Sequence, residues 1–248
     1  MIAILSPAKS LDYDSERNMP PATRPRLDER TDALVLRAQD LSIDDLMSKM
    51  KISHNLAELN FNRWQGFKEQ PEKPAIQVFD GDVYTGLDAK SMDEDDILFA
   101  QDHVRILSGL YGALRPLDLM RPYRLEMGTK RFPADQKLSI WWENAVAELL
   151  VEDMDENGDR TILNLASEEY YASIKNRLPD DVRVIEVKFM TGDRFITMHA
   201  KVARGTMARW MVDNRVTDAE AMKGFDYDGY AFDVEESSDD EWVFRKAA

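Results

Sequence analysis

The sequence predicts a mixed α/β fold of the α+β kind, in one large domain spanning residues 1–248. Three observations predict it. Short apolar runs of strand length alternate with segments of helical apolar spacing, and the last third adds short alternating runs. No internal repeat, low-complexity linker or break in composition divides the chain. At 248 residues, 44% of them hydrophobic, the chain can bury a sizeable core.

Each element has its own local reason. Met1 to Leu5 is an apolar run closed by Ser6-Pro7, which reads as a buried strand that turns at its carboxyl end. Residues 14–28 are polar and hold Pro20, Pro21 and Pro25, the composition of a surface arm. Residues 28–66 carry helical spacing in Leu34, Leu41, Leu46, Met47, Met50, Leu56 and Leu59. Ser42 with Asp45 predicts the N-cap of one helix there, and Ser53 that of the next. Residues 75–79 read as a second buried strand running into Asp80-Gly81-Asp82. An acidic run at 93 leads into a helix to 102, and Val104 to Leu107 forms a third strand ended by Ser108-Gly109.

Residues 108–128 are dense in Gly, Pro and Arg and predict a long ordered loop. Residues 138–153 read as a helix, Thr161 to Ala166 as a strand, and Glu168 to Leu178 as a helix. Val182 to Met190 and Arg194 to His199 alternate and predict a hairpin around Thr191-Gly192-Asp193. Lys201 to Asn214 reads as a helix. Gly229 to Val234 and Trp242 to Arg245 read as strands flanking an acidic loop.

Composition excludes several functions. Lys plus Arg is 32 and Asp plus Glu is 47, a formal charge of −15, so the chain is neither a wholly basic nucleic-acid binder nor a polybasic membrane binder. Cysteine is absent, which removes disulfides, thiolate nucleophiles, Cys-ligated zinc and Fe–S clusters. The five apolar N-terminal residues are too few for a signal-peptide core. No window approaches the roughly 18–20 apolar residues of a membrane span. The expectation is a cytoplasmic protein that does not associate with membranes.

The charge is unevenly placed. Residues 80–102 hold eight acids against Lys90, and residues from 217 onward hold ten acids against three bases. Residues 100–131 reverse the sign with Arg105, Arg115, Arg121, Arg124, Lys130 and Arg131, as do residues 199–216 with Lys201, Arg204, Arg209 and Arg215. Brought together, these segments would make an anion-binding cleft on an acidic body, since guanidinium groups match phosphate oxygens in bidentate geometry. The competing reading is that these arginines pair with the surplus acids. Tyr84, Tyr111, Tyr123 and Trp210 would stack on bases or cap the cleft, or else serve as core aromatics.

Seven blocks carry a family resemblance. They are Ser6-Pro7-Ala8-Lys9-Ser10-Leu11-Asp12-Tyr13; Gly81-Asp82-Val83-Tyr84-Thr85-Gly86-Leu87; Leu107-Ser108-Gly109-Leu110-Tyr111-Gly112; Leu114-Arg115-Pro116-Leu117-Asp118-Leu119; Pro122-Tyr123-Arg124-Leu125-Glu126-Met127-Gly128; Asn164-Leu165-Ala166-Ser167 with Glu169-Tyr170; and Ala200-Lys201 with Ala203-Arg204-Gly205. In that order they resemble the YaaA family of bacterial peroxide stress resistance proteins. The resemblance implies a cytoplasmic protein that limits intracellular iron, and so Fenton damage, under hydrogen peroxide. It also implies the single-domain "cantaloupe" fold, a helix-hairpin-helix element and DNA binding.

A helix-hairpin-helix offers backbone N–H groups of a tight turn and a helix N-terminus to a phosphate, reading backbone and shape rather than base edges. Ile43 to Asn62 is the candidate: helix, Met50-Lys51-Ile52-Ser53, then helix from His54. Ile52 would anchor the turn, Ser53 would free N–H groups, and Lys51 adds charge. The usual hairpin glycines are replaced by Lys51 and Ser53. An ordinary αα-hairpin fits the same pattern. Gly109-Leu110-Tyr111-Gly112 has glycines, but Pro116 and Pro122 block a following helix, so that block reads as a loop.

Ser6 and Lys9 have serine–lysine nucleophile spacing without the companion motifs, so no residue is assigned a catalytic role. The better reading places both at the end of the first strand, facing a crevice. His54, His103 and His199 have no ligand-spaced partners, and Asp82, Glu168, Glu169 and the run Glu235 to Glu241 fix no ligand set, so no metal or cofactor is expected.

The leading expectation is a binding protein for double-stranded or branched DNA, selective for structure rather than sequence. Its DNA or anion contacts would be Lys9, Lys51, Ser53, Arg115, Arg124, Lys201, Arg204 and Arg209. Ser6, Asp82, Tyr84, Tyr111, Tyr123 and Glu126 would line the cleft. The alternative is an enzyme acting on a phosphorylated or anionic small molecule in the same cleft, marked by a closed pocket with carboxylates inside. Direct iron binding ranks third.

Overall fold

The computed structural model describes residues 1–247. A seven-stranded sheet organises them. Its strands are β1 (Ile2–Leu5), β2 (Val104–Ser108), β3 (Gly112–Leu114), β4 (Thr161–Leu165), β5 (Arg183–Thr191), β6 (Ala231–Phe232) and β7 (Glu241–Lys246), in the spatial order β6-β7-β5-β4-β1-β2-β3. The five inner strands run parallel, and the short edge strands β3 and β6 are antiparallel. Short antiparallel edges limit pairing with other chains. β1 lies in the middle, with Ala3 opposite both Val104 and Leu163, and all four of its residues are fully buried. Helices cover both faces of such a strand, which is why its sequence is a continuous apolar run.

The helices are α1 (Asp28–Gln39), α2 (Ile43–Met50), α3 (His54–Gln65), α4 (Asp82–Leu87), α5 (Glu94–His103), α6 (Ala145–Asn157) and α7 (Thr197–Asp213), with shorter helical turns between. Ser42 caps α2 in a reciprocal box with Asp45, and Ser53 caps α3. Asp93 caps α5 in a second box with Asp96. These are the chemical reasons for where the helices begin.

Two close approaches tie the layers together. α4 and α7 meet backbone to backbone: a Cβ on Gly86 would sit 2.1 Å from the Val202 carbonyl oxygen, and one on Gly205 would sit 1.7 Å from that of Val83. Only glycine permits this contact. The second is an ion cluster between the sheet and its cover. Arg105 Nε on β2 and Arg26 each donate to Asp153 Oδ2 on α6 at 2.6 Å.

Several predicted elements differ. Residues 75–79 are not a strand. Pro74, with its ring-fixed φ of −55°, leads into a helical turn over Ala75–Val78, and only Phe79–Asp80 is extended, pairing with Ser10–Leu11. The predicted hairpin over 182–199 is absent. β5 finds parallel partners in β4 and β7, only Thr191 and Arg194 form an antiparallel bridge, and α7 already starts at Thr197. The loop over 108–128 contains edge strand β3. The helix predicted over 138–153 is two segments, Leu138–Trp141 and α6, split where Glu143 adopts a φ of +50°. The helix predicted from Glu168 is a single turn to Tyr171.

Candidate functional site

The chain leaves β1 toward β2 on one side, and leaves the neighbouring β4 toward β5 on the other. Strands whose connections diverge in this way open a crevice at their carboxyl ends. The residues just past those ends are tied together across the gap. Ser167 N–H donates to Ser6 Oγ at 2.9 Å, Ser6 Oγ donates to Ser167 Oγ at 3.2 Å, and Tyr84 OH donates to the Ser6 carbonyl at 3.1 Å.

Above them lies a hollow of about 410 Å³, bounded by the turn from Ser6 to Ser10, the start of α4, Glu126, the turn after β4 and one face of α7. It brings together Ser6, Lys9, Asp82, Tyr84, Glu126, Lys201 and Arg204, seven of the residues expected from sequence. A second hollow of about 490 Å³ adjoins it, sharing Glu126 and Glu169, and is lined by Asp45, Lys49, Lys51, Lys130 and Arg131 among others. The turn of the α2–α3 hairpin therefore borders the same cleft as the end of β1.

Four carboxylates (Asp80, Asp82, Glu126, Glu169) and three cations (Lys9, Lys201, Arg204) line the first hollow, and they are matched in part. Glu126 is held by Lys9 at 3.2 Å and Arg124 at 2.8 Å, and Lys201 lies 3.7 Å from Asp82. Glu169 accepts the Gly128 N–H at 2.9 Å and has no ion pair among the described residues. Arg204 is the lining cation left without a partner: among the described residues its side chain has no hydrogen bond or ion pair, and its Nε is buried. Burial pulls its pKa below the ordinary arginine value. The guanidinium remains charged at any physiological pH.

The second hollow has the opposite balance. Four cations (Lys49, Lys51, Lys130, Arg131) face three carboxylates (Asp45, Glu126, Glu169). Lys51 caps α2 at a φ of +53°, the left-handed conformation that glycine usually supplies in a tight turn. Ile52 packs against the core, as both a helix-hairpin-helix and an ordinary αα-hairpin require.

Other expected residues lie elsewhere. Ser53 Oγ accepts the Leu56 N–H at 3.4 Å, so it satisfies a donor of α3 and does not free one for phosphate. Arg115 is bound to Asp118 at 2.9 Å and to the Arg24 carbonyl, away from both hollows. Arg209 is held by Asp213 at 2.6 Å in a separate hollow with Trp210. Tyr111 and Tyr123 are core aromatics. The Tyr111 hydroxyl accepts the Arg121 N–H at 2.9 Å, and the Tyr123 hydroxyl pairs with Ser108 Oγ at 2.7 Å. Burial raises both phenols above their ordinary pKa. Neither ring has a face open for stacking on a base.

Ser167 and Tyr170 were missed, and Glu169 had been weighed only as a cation ligand. Two signals point to them: they belong to the block Asn164-Leu165-Ala166-Ser167 with Glu169-Tyr170, and they follow a buried strand that pairs with the first one. Among the described residues no helix is long and apolar enough to cross a membrane, and no group of three or more His, Asp or Glu is arranged to hold a metal.

Residues 1–236 match the family described as peroxide stress protein YaaA. The chain is 49% identical over 253 residues to a UPF0246 protein of Rhizorhabdus wittichii, covering 99% of each chain. It is 47% identical over 258 residues to one of Cupriavidus metallidurans (99% of this chain, 98% of the relative), and 45% identical over 255 residues to one of Alteromonas mediterranea (99% and 98%).

Proposed function

This chain belongs to the peroxide stress protein YaaA family, and we propose that it acts in peroxide stress by binding the DNA backbone at the α2–α3 hairpin. One observation carries the reading: the hairpin turn opens onto a hollow in which four cations outnumber three carboxylates, on a chain whose formal charge is −15. A local excess of this kind has to overcome the charge of the whole body before it can attract a polyanion. Lys51 stands at the apex of the turn, the N-terminus of α3 follows it, and Lys130 and Arg131 face it across the hollow. Lys9 adds an exposed cation next to the shared Glu126.

The acidic carboxyl-terminal segment lies with β6 and β7 at the far edge of the sheet, separated from β1 by β5 and β4. At the usual strand spacing that is about 14 Å, more than a Debye length at physiological salt. Contacts at a turn and a helix N-terminus engage phosphates and not base edges, so binding follows DNA shape. Neutralised phosphates release their condensed counterions. Ferrous ions on the backbone would leave with the rest, which limits iron-dependent damage without an iron site on the protein.

Fluorescence anisotropy tests the proposal, with labelled duplex, single-stranded and branched DNA across a salt series. The expected result is binding whose logarithm falls linearly with log salt, indifferent to sequence. A Lys51→Glu, Lys130→Glu double variant should lose more than about tenfold in affinity, with a slope shallower by about 2. No binding at low salt, or an unchanged slope in the double variant, contradicts the proposal.

A further inference from the structure

We infer that the hollow at the carboxyl ends of β1 and β4 is a binding site for a nucleoside monophosphate, separate from the hairpin face proposed for DNA. Arg204 is the starting point. A charged group removed from water without a partner is costly, and folded chains rarely leave one so. Every other arginine in the neighbourhood has an acid or a carbonyl: Arg124 has Glu126, Arg115 has Asp118, and Arg209 has Asp213. Arg204 lines a hollow and has none. An anion arriving there supplies the missing partner.

The surroundings favour a phosphate monoester. Lys201 lies three residues before Arg204 on α7, hence on the same helix face, and is half exposed. A dianion matches two cations. Of the four lining carboxylates, Asp82 and Glu126 are neutralised in place by Lys201, Lys9 and Arg124, whereas Asp80 and Glu169 have no ion pair among the described residues, so the phosphate belongs on the Arg204 and Lys201 side of the hollow. The Ser6 and Ser167 hydroxyls provide further hydrogen-bonding groups in the lining.

The remaining lining favours a nucleotide over a simpler phosphate. Glu169 has one hydrogen bond and no ion pair, so its carboxylate retains acceptor capacity. Ring N–H and exocyclic amino groups of a base are suitable donors for it. Pro7, Ala8, Val83 and Tyr170 supply apolar surface against which a base and a sugar can pack. A hollow of about 410 Å³ accepts one nucleotide and no length of duplex. Its position, at the point where strand order reverses, is where open α/β sheets hold nucleotides.

Isothermal titration calorimetry on the full chain decides the matter. The titrants are the four common nucleoside monophosphates and their 2′-deoxy forms, with the parent nucleosides, a hexose phosphate and inorganic phosphate as controls. At least one monophosphate should bind in a 1:1 ratio and more tightly than any control. Arg204→Met should weaken it by about 10- to 100-fold, the worth of a charged hydrogen bond. Lys201→Met, at an exposed position that folding does not need, should also weaken it.

Absence of any monophosphate binding, equal binding by the hexose phosphate, or wild-type affinity in both variants overturns the inference. Duplex affinity measured on the same samples separates the two readings. Nucleotide binding without duplex binding upholds this site and removes the DNA proposal. Duplex binding without nucleotide binding does the reverse.

Discussion

Arg105 and Arg204 are both arginines drawn largely out of water, yet their settings are opposite. Arg105 reaches from β2 to Asp153, which also receives Arg26, and its NH1 donates to the Gln101 and Val104 carbonyls at 2.8 Å. Arg204 sits on α7 beside a hollow with no partner for its side chain. The first arrangement is closed: each charge is answered within the fold. The second is open, and what would close it is a ligand. Buried charge alone therefore does not mark a site. What sets Arg204 apart is that its unpartnered charge lines a hollow.

The largest expected effect comes from making the first region resemble the second. Asp153→Ala leaves Arg105 buried and unpaired, and should lower the unfolding free energy in urea by about 3–5 kcal/mol. Next is Gly205→Ala, whose new Cβ would lie 1.7 Å from the Val83 carbonyl oxygen. It should cost about 3 kcal/mol by overpacking. It should also disturb the cleft selectively, since α7 carries Lys201 and Arg204 while α4 carries Asp82. Tryptophan fluorescence during denaturation reads the first effect, and nucleotide titration reads the second.

Arg204→Met should act in the opposite direction on stability. It removes a buried, unsatisfied donor, so the folded state should gain about 1 kcal/mol while ligand affinity falls. Differential scanning calorimetry with and without nucleotide separates the two changes. The smallest effect is a pH dependence. Burial tends to raise the Asp153 carboxyl, but the hydrogen bonds and charges of Arg105 and Arg26 outweigh it and hold the pKa below the ordinary value. A depressed folded-state pKa gives stability that is complete above the unfolded value, about 3.9, and is lost as pH falls through the folded value. Urea titrations should therefore show wild-type stability declining below about pH 4, with the decline shallower in Asp153→Asn.

The two regions also differ in how far the sequence reveals them. The buried run Met1 to Leu5, the caps Ser42 and Ser53, and the strand from Val104 are legible because each depends on neighbours within a few residues. So is the end of β1 as a turn beside a crevice, where Ser6 and Lys9 line one hollow with Asp82, Glu126, Lys201 and Arg204. The status of each arginine is not legible. Arg115, Arg121 and Arg124 lie within ten residues of one another and look alike in sequence, yet each has its own acid: Asp118, Glu72 and Glu126. Those partners are set by tertiary packing. The expected anion-binding cleft is in fact a hollow of four carboxylates and three cations, in which Asp82 and Glu126 are paired while Asp80, Glu169 and Arg204 have no ion pair among the described residues.

The same limit explains the missed elements. Residues 75–79 and 194–199 are short apolar or alternating stretches, for which period alone does not decide between strand and helix. Pro74 decided the first, and the parallel partners of β5 decided the second. Glu169 and Ser167 stand in a block that carries the family resemblance, but their place beside Ser6 depends on the pairing of β4 with β1.

The most direct test of the contrast between the two arginines is nuclear magnetic resonance of the Nε–H groups in arginine-labelled protein, titrated first with a nucleoside monophosphate and then with duplex DNA. The Arg105 resonance should be protected from solvent exchange at the start and stay in place throughout. The Arg204 resonance should shift and gain protection on adding nucleotide. An Arg204 signal that neither ligand moves would show that its open charge serves no ligand, and would contradict the account.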